Sequence, residues 1–275
     1  MNVMDTDFFK KYIDMADDGD RMGWHERNGG NFTYWIKQEE IESIRDELSK
    51  EGKWMPIGTC VKDLAKEYFL ISGTGKYFHN MKKDPMHTVG IIEIDETGEQ
   101  YRICWGLLDG GKPTSEMPTH LMNLEVRKNM TNSEERVIYH AHCPNLIALT
   151  FLLPLKDEVF TRELWEMMTE CPVIFPEGVG VVKWMVPGGK DIAVATSKKM
   201  ENYRAVIWAH HGLFCSGIDF DSTFGLMHTI EKSAEIYIKV HSVQTKKAQS
   251  ITPDDFRQLA KEFHVTLNER FLYEK

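Results

Sequence analysis

The residues whose spacing carries the most chemistry are His140-Ala141-His142, within a run from Arg136 to His142 that reads as a strand. Side chains at i and i+2 of a strand project to one face, so both imidazoles can reach a single metal ion. Two histidines do not complete a site. A third imidazole is available where another apolar strand, Ala205 to Trp208, ends at His210-His211-Gly212. Adjacent strand residues face opposite ways, so at most one of His210 and His211 joins the pair, and spacing alone does not choose. Glu116, on the first turn of a helix, offers a carboxylate. Three imidazoles and a carboxylate form a zinc set with room for a displaceable position. His120 shares the helix face of Glu116, as a competing ligand or a partner for it.

A second group of residues suits an anion. Asn28-Gly29-Gly30-Asn31, Ser72-Gly73-Thr74-Gly75 and Thr114-Ser115 are short loops of glycine, amide and hydroxyl. Glycines let backbone N–H groups approach a phosphate, and the amides and hydroxyls add neutral donors. Neither a Walker A sequence nor G-x-G-x-x-G occurs, which disfavours a nucleotide. Glu170 follows a helix and precedes Cys171-Pro172, where a carboxylate is ordinarily solvated. Cys143 reads as a small buried residue rather than a ligand or nucleophile.

The elements that must hold these groups alternate along the chain. Helical periodicity covers Phe8 to Met22, and Phe32 to Ile36 is a short strand. Glu39 to Lys50 is a charged helix, and Tyr68 to Ile71 is a buried strand. Val89 to Asp95 and Tyr101 to Leu107 form a hairpin, and Ser115 is the expected N-cap of the next helix. Helices follow at Pro144 to Leu153, Asp157 to Met168, Asp191 to Asn202, Phe220 to Thr245 and Pro253 to Phe263. Val173 to Phe175 and Val179 to Val182 read as short strands. One layered α/β domain over residues 1–275 is expected, with a mixed, largely antiparallel sheet flanked by helices.

Composition narrows the function. In 275 residues, 33 Lys and Arg stand against 42 Asp and Glu, a net charge of −9, so no surplus of cations exists to neutralise nucleic-acid phosphates. Met1 to Asp20 carries six aspartates and no apolar stretch, so no secretory signal is expected. Val137 to Leu155 is free of Asp, Glu, Lys and Arg but holds two histidines and two prolines, which a membrane helix tolerates poorly. Five cysteines without C-x-x-C spacing fit reduced thiols in the cytoplasm.

Assembled, the motifs are similar to a known set. They are the run Gly23 to Asn31 (Trp24-His25-Glu26-Arg27-Asn28-Gly29-Gly30-Asn31 at its core), Ser72 to Lys76, Pro113 to Glu116, and His140-Ala141-His142 followed by Asn145 to Thr150. Phe160-Thr161-Arg162, Thr169-Glu170-Cys171, Trp184-Met185-Val186-Pro187-Gly188 and Thr223 to Leu226 complete it. Across nearly its whole length the chain resembles the class II sugar-phosphate aldolases of the adducin-like superfamily. The resemblance implies Zn2+ on His140, His142 and His211, with Glu116 a ligand at rest and a base once displaced. It implies a phosphate site at Asn28, Gly30, Asn31, Thr74, Gly75, Thr114 and Ser115, and a homotetramer in which Glu170 serves a neighbouring subunit's site. It also implies a family-type insertion at about 38–67, and cleavage of L-rhamnulose 1-phosphate to dihydroxyacetone phosphate and L-lactaldehyde. An L-fuculose-phosphate aldolase or a ribulose-phosphate 4-epimerase would share these motifs. A non-catalytic adducin-like module would lack the metal histidines.

Overall fold

The metal-pair strand lies in the interior of a single sheet, and the rest of the fold covers that sheet on both faces. The computed structural model describes residues 1–243 and 246–272. In chain order the elements are α1 (Asp7–Arg21), β1 (Asn31–Trp35), α2 (Gln38–Ile44), β2 (Met55–Pro56), β3 (Tyr68–Ser72), α3 (Phe78–Met81) and α4 (Pro85–Thr88). The hairpin β4 (Val89–Ile94) and β5 (Gln100–Gly106) follows, then α5 (Met117–Met130), β6 (Val137–Ala141), α6 (Pro144–Leu152), α7 (Asp157–Trp165) and α8 (Cys171–Ile174). The last are β7 (Gly180–Val182), α9 (Lys190–Met200), β8 (Ala205–Trp208), β9 (Gly212–Gly217), α10 (Phe220–Val243) and α11 (Pro253–Glu262).

Among the described residues the nine strands run in the order β2-β5-β4-β3-β1-β6-β9-β8-β7. Only β7 and β8 pair in parallel, so the sheet is mixed and largely antiparallel. Strands β1, β6 and β9 are buried along their whole length, because helices cover both faces. One layer of core, with Tyr12, Phe32, Tyr139 and Phe160, lies under α1, α6, α7 and α10. The other, with Leu121, Leu124, Ile138 and Trp208, lies under α5 and α9. Among the described residues no helix is long and apolar enough to cross a membrane.

Several expectations need correcting. Val173 and Ile174 do not form a strand: Pro172 sits in the first turn of α8, and both N–H groups bond the carbonyl of Glu170. Two β-branched residues were misleading there, since a proline at a helix start outweighs their propensity. Ser115 is not the cap of α5. That position belongs to Glu116, whose N–H bonds Thr114 Oγ1 at 3.3 Å, so Glu116 lies just before the first turn. The helix expected from Glu39 to Lys50 stops at Ile44, with a 3₁₀ turn after it. Strand β9 was not foreseen at all. Residues 38–67 supply β2, a two-residue edge strand on β5 that carries Pro56 where sheets tolerate proline. Of the helix expected from Phe220 to Thr245, residues 244 and 245 lie outside the described residues.

Candidate active site

His140 lies within β6 between two antiparallel neighbours, opposite Asn31 of β1 and Phe214 of β9. Its ring is fully buried and stacks on Phe214, with centroids 4.2 Å apart. His142 stands one residue beyond the strand, where its N–H bonds the carbonyl of Trp24 at 3.0 Å. The strand period therefore delivers both rings to one side, 5.2 Å apart. His211 arrives from a turn in which its N–H bonds the carbonyl of Trp208, with His210 at φ 62°. The turn closes onto β6 so tightly that a Cβ on Gly212 would lie 2.4 Å from the Ala141 carbonyl oxygen, and only glycine fits.

This turn, rather than strand alternation, separates the two neighbours. His211 Nε2 lies 3.4 Å from His140 Nε2. His210 Nδ1 lies 3.0 Å from Thr150 Oγ1, and its ring rests on Phe151. One ring nitrogen from each of His140, His142 and His211 falls within 4.8 Å of the others. The donor set fits a metal ion. His140 Nδ1 donates to the Leu213 carbonyl at 3.1 Å, and His142 Nδ1 donates to Glu26 Oε1 at 2.7 Å. Both contacts leave the Nε2 lone pairs free for an ion. Burial, followed by mutual repulsion with the other two rings, holds His140 well below the usual histidine range. Burial and then His142 bring His211 down to about 4. Neutral imidazoles are the form a metal needs.

Glu116 completes the ring of donors, with Oε2 3.7 Å from His140 Nε2. Its carboxyl is raised by burial, against the opposing effects of the Asn31 hydrogen bond and of His142. Asn31 Nδ2 donates to Glu116 Oε2 at 2.9 Å, and Asn31 Oδ1 accepts from His120 Nε2. Among the described residues the His120 ring thus hydrogen-bonds neither the metal histidines nor the Glu116 carboxylate, although its backbone N–H bonds the Glu116 carbonyl at 3.1 Å.

The three loops meet beside these groups. Asn28, Gly30, Asn31, Thr74, Gly75, Thr114 and Ser115 line one cleft of about 200 Å³, together with Glu116, His140, His142, His211 and Pro187. Backbone bonds from Thr74 N–H to the Lys112 carbonyl and from Thr114 N–H to the Ser72 carbonyl tie the second loop to the third. His25 secures the first: Nδ1 bonds the Gly29 carbonyl at 3.0 Å, Nε2 accepts from Tyr139 at 2.7 Å, and the ring stacks on Phe78. Gly30 has φ 73°, and a Cβ there would strike His25 Nδ1 at 2.3 Å. Thr74 and Ser115 are exposed, with hydroxyls able to face an anion.

Glu170 is not brought to this cleft. It is exposed at the start of α8, and its neighbour Thr169 lines a separate groove with Glu166, Ser250 and Leu259. Cys143 is buried at the start of α6. Sequence reasoning gave no role to Glu26 or Glu231. Glu231, on α10, accepts from the N–H groups of Asn145 and Leu146 and from Asn145 Nδ2 at 2.7–3.0 Å, which caps α6 directly behind His142. Its separation of 86 residues from Asn145 left no local signal.

Residues 11–238 match the family described as Class II Aldolase and Adducin N-terminal domain. The chain belongs to this family. Its members include relatives of nearly equal length. The chain is 44% identical over 265 residues to a rhamnulose-1-phosphate aldolase of Mannheimia succiniciproducens, covering 96% of this chain and 97% of that one. Among solved structures, a sugar-phosphate aldolase from Thermotoga maritima superposes with a TM-score of 0.75 at 27% identity, over 87% of this chain and 97% of that one. An L-fuculose-1-phosphate aldolase from Thermus thermophilus shares the fold, with a TM-score of 0.56 at 19% identity, over 88% of this chain and 98% of that one. The class II aldolase fold thus carries a histidine triad able to hold a metal ion.

Proposed function

We propose that this protein is an aldehyde-lyase that reversibly cleaves L-rhamnulose 1-phosphate to dihydroxyacetone phosphate and L-lactaldehyde. The observation that carries the reading is the convergence of three imidazoles, a buried carboxylate and three anion-binding loops in one cleft. Family membership and the 44% identity to a rhamnulose-1-phosphate aldolase support the reaction and its substrate. Identity is lower, 19%, for the fuculose enzyme.

His140, His142 and His211 would hold zinc, with Glu116 a fourth ligand at rest, and zinc would supply the Lewis acid that stabilises the enediolate charge. The phosphate rests against Asn28, Gly30, Thr74, Gly75, Thr114 and Ser115, with Asn31 on the inner wall. When the C3–C4 bond of the ketose breaks, the C4 hydroxyl gives up its proton and L-lactaldehyde leaves. Glu116 then delivers a proton to C3 of the enediolate, giving dihydroxyacetone phosphate, and removes it again in condensation. Burial suits Glu116 to both roles, because a raised carboxyl is a better base and is more readily protonated. Glu170 of the partner subunit handles the proton on the aldehyde oxygen, so the sites lie between subunits, and the resemblance to the family implies that the working form is a homotetramer. Its exposure on the single chain leaves it available for that placement. Residues 1–275 act as one domain.

A coupled assay tests the reading. Zinc-loaded protein is supplied with L-rhamnulose 1-phosphate or L-fuculose 1-phosphate, with a chelator control. Chelator-sensitive release of dihydroxyacetone phosphate from the rhamnulose ester is expected. Preference for the fuculose ester overturns the substrate, and cleavage of neither favours the epimerase reaction.

A further inference from the structure

We infer that His120 is a positioning residue for the reaction: through Asn31 it fixes the amide that holds Glu116 in place. The inference rests on the reading of Glu116 as the proton-transferring group. Three observations carry it. First, Asn31 bridges the two residues, with Nδ2 2.9 Å from Glu116 Oε2 and Oδ1 on His120 Nε2. Second, the bridge has one consistent polarity. An ionised carboxylate only accepts, so Asn31 must turn its NH₂ to Glu116 and its carbonyl to His120, and His120 must then carry its proton on Nε2. Third, His120 is fully buried and its Nδ1 has no partner among the described residues. Such a position, against Phe214 and in the layer with Leu121 and Leu124, would pack an apolar side chain at lower cost. A lone pair left unpaired on Nδ1 is consistent with the same tautomer.

The physical consequence is orientation. Asn31 begins β1 opposite His140, so its backbone is held, but its amide can rotate by a half-turn at little steric cost. A flipped amide would present its oxygen to Glu116, repel the carboxylate and displace the proton from C3. His120 removes that alternative, since an N–H aimed at Asn31 tolerates only the carbonyl. Thr33, two residues along the same strand face, and Asn123, one turn along α5, also keep buried polar atoms without partners among the described residues. Polar groups thus continue along the interface of β1 and α5 beyond His120.

The test reads the proton transfer alone. Zinc-loaded enzyme exchanges deuterium from D₂O into the C3 position of dihydroxyacetone phosphate, followed by NMR without any aldehyde. His120→Leu is expected to lower the exchange kcat about 10–100-fold, with KM changed by less than about twofold. Zinc affinity, by chelator competition on the metal-free protein, should fall by less than about tenfold, because His140 and His142 keep their own orienting partners. His120→Gln, whose amide N–H can reach the same oxygen, is expected to recover most of the rate. Wild-type exchange in the leucine variant overturns the inference, as does an equal loss in both variants. Should the leucine variant not fold, Asn31→Asp replaces it, keeping the acceptor for His120 and removing the donor to Glu116. Slow exchange from folded, zinc-loaded N31D then supports the bridge, and wild-type exchange overturns it. Glu116→Gln separates the two ideas: full exchange in that variant refutes Glu116 as the base, whatever His120 does.

Discussion

Removing the Glu26 carboxylate should weaken metal binding without touching a ligand. Glu26 Oε1 accepts from His142 Nδ1 at 2.7 Å, a charge-assisted bond that fixes the tautomer and aims Nε2 at His140 and His211. Partners of this kind are worth about 10–100-fold in metal affinity. The Glu26 side chain is 67% exposed, so water competes for the contact and the lower end applies. Glu26→Ala is therefore expected to raise the zinc Kd about tenfold, or about 1.4 kcal/mol. Glu26→Gln keeps an acceptor and loses the charge, for a rise of about threefold. The assay is competition with a chromophoric chelator on metal-free protein at neutral pH. Gly29→Ala supplies an independent check, since a Cβ there would lie 2.8 Å from His142 Nδ1 and displace the ring. Unchanged zinc affinity in the alanine variant at position 26 would refute the reasoning, as would identical losses for alanine and glutamine.

Three further outcomes follow from the same geometry. Glu231→Leu leaves the donors of Asn145 and Leu146 without their acceptor and should cost about 3–5 kcal/mol, against about 1–2 for Glu231→Gln; equal urea midpoints for all three proteins would contradict this. His211→Ala should abolish stoichiometric zinc binding while His210→Ala retains it, measured by elemental analysis after dialysis, because His210 is held by Thr150 and Phe151. Metal-free protein should lose stability as pH falls from about 6.5 towards 3. Burial lowers both His25 and His120 to about 3, so the unfolded chain binds their protons first, and stability falls by up to about 1.4 kcal/mol per pH unit for each. A urea midpoint that stays flat across that interval would exclude buried neutral histidines.

What could be read beforehand depended on distance along the chain. The His140–His142 pair was legible because a strand repeats every two residues, and the glycine loops because φ above zero leaves glycine as a marker. The choice between His210 and His211 was not derivable from alternation, since the strand had already ended at Trp208 and a turn set both directions. Strand β9 escaped notice because Gly212 and Gly217 frame a short segment, and its pairing with β6 and β8 supplies the order. Val173 and Ile174 misled for the opposite reason, with local propensity overruled by Pro172. The links from Glu26 to His142 and from Asn31 to His120 span 116 and 89 residues, and no period reaches that far. Those contacts turn a set of candidate ligands into an oriented one.

The central claim is that one cleft holds a metal ion and a phosphorylated substrate together. Diffraction from zinc-loaded crystals soaked in dihydroxyacetone phosphate, recorded at the zinc edge, tests it most directly. The expected anomalous peak lies at about 2.0–2.1 Å from Nε2 of His140, His142 and His211, with the phosphate against Thr74, Gly75, Thr114 and Ser115. Zinc bound elsewhere, or a phosphate held away from those loops, would contradict the account.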